Sequence, residues 1–173
     1  LFFLGGCSGF LYTNLPSLEF QDIDYGFPTK SVLNNPSISF IDVGSGDKTI
    51  VLVHGLASNA GFWRYAIPLL SKNYRVIAVD LPGYGKSQKG VFPYSMSFYA
   101  DQVKRLADEL KLDKFVLVGH SMGGQIGITF ALNYPNRLEK LVLASPAGIE
   151  EFEQGEGDWL RSVMTKSFIK KTT

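Results

Sequence analysis

Apolar positions along this chain recur with a period that switches several times between two and about 3.6. Two short runs, Lys30-Ser31-Val32-Leu33 and Ile38-Ser39-Phe40-Ile41-Asp42-Val43, flank Asn34-Asn35-Pro36 and predict an antiparallel hairpin. Gly44-Ser45-Gly46-Asp47 predicts a turn. Thr49-Ile50-Val51-Leu52-Val53 is then continuously apolar, the pattern of a strand covered on both faces. Arg75 to Asp80, Phe115 to Val118 and Leu138 to Ala144 predict three more strands. Helical spacing falls between them. Phe62, Trp63, Ala66, Ile67 and Leu70 mark a helix over 61–71, and Tyr99, Val103, Leu106 and Leu110 mark one over 95–110. A third runs through Ile126, Phe130 and Ala131 until Pro135. Strand and helix alternate, so the expected class is α/β, a mostly parallel sheet with helices on both faces.

The two ends do not share this regularity. Leu1-Phe2-Phe3-Leu4-Gly5-Gly6-Cys7 is apolar, then small, then cysteine, and resembles the end of a bacterial lipoprotein signal peptide cleaved before Cys7. That resemblance implies lipidation of Cys7, a membrane anchor and a location in the bacterial cell envelope. A plain apolar start or an unlipidated secretory signal fits the same residues, which leaves secreted and cytoplasmic locations open. Residues 1–6 are thus read as the end of a signal and residues 7–28, with few periodic apolar positions, as a tether. Residues 29–149 form the regular core. Residues 150–158 carry five carboxylates, and Leu160, Met164 and Phe168 then recur every fourth position opposite Arg161, Lys166 and Lys170. The acidic stretch reads as solvated loop, with neither histidine ligands nor calcium-loop spacing, so no metal site is expected.

Composition narrows the function. With 173 residues and 45% apolar content the chain supports one substantial core. A formal charge of +1 with scattered lysines leaves no footprint for nucleic acid. Cys7 is the single cysteine, and His54 and His120 are the whole imidazole supply.

Candidate chemistry centres on Gly119-His120-Ser121-Met122-Gly123, a G-x-S-x-G pattern between an apolar strand and a helix. Such spacing demands a tight strand-to-helix turn that lifts the serine hydroxyl above the sheet. The flanking glycines are needed where a Cβ would strike neighbouring backbone. Two further patterns precede it, His54-Gly55-Leu56 and Asp80-Leu81-Pro82-Gly83-Tyr84-Gly85-Lys86-Ser87.

With these three motifs in order, the chain resembles the α/β-hydrolase superfamily from about Thr29 to Gly148, closest to small esterases and carbon–carbon bond hydrolases with a G-H-S-M-G-G elbow. The resemblance implies that Ser121 is the nucleophile and that the backbone N–H groups of Leu56 and Met122 form the oxyanion hole. It makes His54 a structural histidine and Asp80 a support for its loop, with Gly55, Gly119, His120 and Gly123 shaping the site. Phe62 and Trp63 read as packing. Residues 150–173 would begin a cap over the acyl pocket, although the stripe at Trp159, Leu160, Val163, Met164 and Phe168 fits a core face equally well. No cofactor is implied.

The family order is Ser, then Asp or Glu, then His, yet no histidine follows Ser121. The sequence therefore reads as an α/β-hydrolase fold interrupted after its sixth strand and the start of the cap, with the acid and base beyond Thr173. This piece by itself is expected to be inactive. The function expected of the whole protein is acyl transfer from a small-molecule carboxylic ester. A C–C bond hydrolase, a cofactor-free peroxidase of the same fold, or a non-catalytic binding member without the base are the alternatives.

Overall fold

The computed structural model describes residues 19–33 and 35–148. Cys7, the acidic stretch and the stripe at residues 160–168 lie outside the described residues. Six strands form one sheet: β1 (Thr29–Val32), β2 (Ile38–Val43), β3 (Thr49–Val53), β4 (Arg75–Val79), β5 (Phe115–His120) and β6 (Leu138–Ala144). Their spatial order is β1-β2-β4-β3-β5-β6. The β1–β2 hairpin is antiparallel and β2 pairs antiparallel with β4, while β4, β3, β5 and β6 run parallel. This is the mostly parallel sheet expected, with the continuously apolar β3 and β4 at its centre.

Strand alternation divides the core in two. Val51, Val53, Ile77, Val79, Phe115 and Leu117 point to one face, where α2 (Met96–Glu109) covers them with Tyr99, Val103 and Leu106 and α3 (Met122–Asn133) with Ile126 and Phe130. Ile50, Leu52, Val76 and Ala78 point to the other, under Trp63, Ile67 and Tyr25. Each fully buried aliphatic chain contributes about 1.5–3 kcal/mol. Ser95 begins α2 by accepting the Phe98 N–H at 3.1 Å, satisfying one of the donors a helix start leaves bare.

Two sequence expectations change. The helix over 61–71 is instead a 3₁₀ turn, Ala60–Trp63, and a short helix α1, Ile67–Leu70. Pro68 is the reason: it fits a first helical turn but has no N–H to donate to the carbonyl four residues back, which a longer helix through it would need. Within the stretch read as a tether, residues 19–28 pack on the body. Phe20–Asp22 forms a 3₁₀ turn, Ile23 and Phe27 are half-buried, and Tyr25 is 2% exposed. Among the described residues no helix is long and apolar enough to cross a membrane.

Candidate active site

β5 ends at His120 and α3 begins at Met122, leaving Ser121 alone to reverse the chain. Its φ of 53° and ψ of −119° match the first central position of a type II′ turn, where glycine is the ordinary occupant. The strain is held by four hydrogen bonds. Ser121 N–H donates to the Ala144 carbonyl on β6 at 3.1 Å, and the Ser121 carbonyl accepts from Gly124, Gln125 and Ala147. The Ser121 hydroxyl does not cap α3. Strand and helix approach so closely that a Cβ on Gly119 would strike the Gly123 carbonyl, and one on Gly123 would strike the Val53 carbonyl. The glycines of the motif are thus fixed by contact as well as by turn geometry.

The end of β3 leads into the facing loop. Gly55 lies against the elbow, where an added Cβ would sit 3.1 Å from the Ser121 Cβ. Leu56 follows, half exposed, and Ala57 takes a positive φ of 54° that turns the loop back. Leu56, Ser121 and Met122 line one pocket of about 650 Å³ together with Gly83, Tyr84, Tyr94, Met96, Tyr99, Gln125 and Ala147. Met122 occupies the first position of α3, where the N–H has no partner within the helix. Burial pushes the Tyr84 and Tyr99 phenols up; neighbouring tyrosines add to the effect at Tyr99, while at Tyr84 the Tyr99 hydrogen bond opposes it without reversing it, so both line the pocket as neutral groups.

Behind the pocket, His54 is fully buried with both ring nitrogens engaged. Leu81 N–H donates to Nε2 at 3.2 Å, which fixes the proton on Nδ1, 2.8 Å from the Gly55 carbonyl. Desolvation holds its pKa below the ordinary imidazole range, against the opposing influence of the Gly55 carbonyl and Asp80. His120 stacks on Phe62, ring centroids 4.6 Å apart, with its Nδ1 buried and unpartnered. No hydrogen bond joins either imidazole to Ser121 among the described residues. Asp80, also fully buried, accepts from the backbone N–H of Ala60 at 2.7 Å and of Lys86 at 2.9 Å. Ser87 donates to the Asp80 carbonyl at 2.6 Å.

The structure thus gathers Ser121, Leu56 and Met122 around one pocket and sets His54 and Asp80 behind it. Sequence reasoning did not find Tyr94, Met96, Tyr99 and Gln125 as pocket residues. Tyr99 carried only a helical-face signal, and the others none, because the wall is assembled from five separate segments.

A family model described as the alpha/beta hydrolase fold matches residues 48–167, and the chain belongs to that family. Over 111 residues it is 44% identical to a 2-hydroxy-6-oxononadienedioate/2-hydroxy-6-oxononatrienedioate hydrolase of Escherichia coli O139:H28, covering 61% of this chain and 38% of that protein. Among solved structures it resembles the meta-cleavage product hydrolase CumD of Pseudomonas fluorescens IP01, with 36% identity and a TM-score of 0.67 over 74% of this chain and 48% of that one. It also resembles lip1 of Acinetobacter baumannii AYE, provisionally assigned as a lipase, with 29% identity and a TM-score of 0.73 over 86% of this chain and 55% of that one. The chain spans about half the length, or less, of these relatives.

Proposed function

We propose that the protein is a serine hydrolase of carbon–carbon bonds, with Ser121 as nucleophile and the Leu56 and Met122 N–H groups as oxyanion donors. The observation that carries this reading is the 44% identity to the dienedioate hydrolase, and it favours C–C cleavage over the ester hydrolysis expected from sequence. That relative's named substrate holds two carboxylates, an enol and a ketone, with no ester or amide. Water can divide such a molecule only at a carbon–carbon bond, and the bond beside the ketone is the activated one.

The chemistry follows. The dienol ketonises, creating a carbonyl that can later receive an electron pair. Ser121 Oγ adds to the other ketone carbon as its proton passes to a base, and the two N–H groups hold the developing alkoxide. Collapse breaks the bond on the diene side of that carbon. The electron pair enters the conjugated carbonyl system, and the released fragment takes up a proton. Water then hydrolyses the acyl-serine, giving a carboxylic acid and free Ser121. His54 spends both nitrogens on backbone groups and His120 stacks on Phe62, so we assign the base to sequence outside these residues.

Two assays test the reading on protein expressed from the complete reading frame: decay of the dienol absorbance of 2-hydroxy-6-oxononadienedioate, and release of p-nitrophenol from its acetate. Decay of the dienol that Ser121→Ala abolishes is expected. Turnover of the acetate with none of the dienol would restore the ester reading, which the likeness to lip1 favours. Envelope anchoring through Cys7 rests on the Leu4-Gly5-Gly6-Cys7 pattern. Persistence of a Cys7→Ser protein in the membrane fraction would sink it.

A further inference from the structure

The segment before the sheet does more than cover apolar surface. Tyr25 donates its phenolic hydroxyl to Asp80 Oδ2 at 3.0 Å, the third donor on a carboxylate already holding Ala60 N–H and Lys86 N–H. Those two amides belong to the loops that form the pocket: Ala60 lies four residues past Leu56, and Lys86 two past Tyr84. We infer that Tyr25 is a positioning residue for the proposed reaction, acting through Asp80 to fix the loop that carries the Leu56 oxyanion donor.

Three observations support it. The Tyr25 ring is seated by design of its surroundings, since a Cβ on Gly61 would meet its Cδ1 at 2.8 Å and Lys86 Nζ lies 4.9 Å from its ring centroid. The same segment is tied again at Gln21, whose side chain donates to the Lys86 carbonyl at 3.2 Å, and at Phe20, whose ring lies under Lys89 Nζ. Finally, the oxyanion loop is packed at Ala60 and Trp63 but open to solvent at Leu56 and Phe62. An open groove of about 290 Å³ runs along its junction with the segment, lined by Ile23, Tyr25, Ser58, Asn59 and Phe62 among others. Among the described residues, the Ala60–Asp80 hydrogen bond ties this loop to the residue that follows β4. A buried carboxylate deprived of one donor re-orients toward those that remain. Burial and the Asp80 charge push the Tyr25 phenol up, which keeps it a donor.

The inference rests on the proposed function, and the test separates the two. Tyr25→Phe keeps the ring and deletes the hydroxyl. Ile41→Val trims the same apolar cluster without touching Asp80 and serves as the stability control. The measurements, on protein expressed from the complete reading frame, are the rate of Ser121 labelling by a fluorophosphonate over a concentration series, and amide hydrogen exchange over residues 56–60. Expected for Tyr25→Phe is a maximal labelling rate down about 10-fold with the half-saturating concentration unchanged, and faster exchange in the loop. Expected for Ile41→Val is a lowered Tm with labelling as in the parent. Parent-like labelling and exchange in Tyr25→Phe would overturn the inference, as would equal slowing in Ile41→Val. Should the parent protein itself resist labelling, the proposed function fails, and loop exchange alone then decides the role of Tyr25.

Discussion

At the scale of single residues, the elbow concentrates strain on the group proposed to react. A serine at φ 53° sits where glycine is at ease, at a cost of order 1–3 kcal/mol. Ser121→Gly is therefore expected to stabilise the protein by about 1 kcal/mol in urea unfolding while abolishing fluorophosphonate labelling. Titration of His54 gives a second expectation. Its folded pKa lies below the ordinary value of about 6.5, because burial disfavours the charged ring. The unfolded chain thus binds the proton more readily, and acidification below about pH 6.5 destabilises the fold through this residue until the folded pKa is reached. Above that pH the group contributes no slope. Asp42 follows at lower pH. Burial opposes its ionisation, but hydrogen bonds from Arg75 and Lys30 outweigh this, so its stabilisation is lost only as pH falls below the usual carboxylate range. Thermal unfolding between pH 8 and 5 is expected to show a fall in Tm that His54→Gln removes.

At the scale of elements, what could be read from sequence divides along physical lines. β3, β4 and β5 were legible because burial on both faces writes a continuous apolar run. α2 was legible because Tyr99, Val103 and Leu106 recur at helical spacing on the face it buries. The elbow was legible for a local reason: Gly119 and Gly123 are demanded by neighbours only a few residues away or on the adjacent strand. The helix over 61–71 misled, since its apolar spacing is genuine but Pro68 divides the backbone. Tyr25 was illegible, as its partner lies 55 residues on. The pocket wall was illegible too, being made where the loops after β3, β4 and β6 meet α2 and α3. Gly123→Ala tests the contact argument: a Cβ there would lie 2.6 Å from the His54 carbonyl oxygen, with the Val53 carbonyl nearer still. Its expected cost is about 2 kcal/mol or more, from overpacking against backbone that cannot move aside, read as a lowered urea midpoint.

At the scale of the whole molecule, residues 19–28 are part of the folded body. Tyr25 closes the second core cluster with Ile41, Ile50, Leu52 and Trp63. Deleting residues 1–28 is expected to cost at least about 3 kcal/mol, the lower end for truncating a large buried ring, in a urea unfolding experiment. An unchanged midpoint would mean that the segment merely rests on the surface.

The strand order also decides when this protein can begin to fold as it is made. β4 lies between β2 and β3, so Phe40 waits for Val79 before its second neighbour exists. β3, although synthesised third, gains its other neighbour only when Val116 to Gly119 arrive. A ribosome extends a chain at about 5–20 residues per second, so the apolar central strand emerges several seconds before it can be enclosed. Until then its row of valine and isoleucine side chains is open to any chaperone that binds extended apolar peptide. The topology that buries this central strand most securely in the finished molecule thus leaves it most dependent on protection during synthesis.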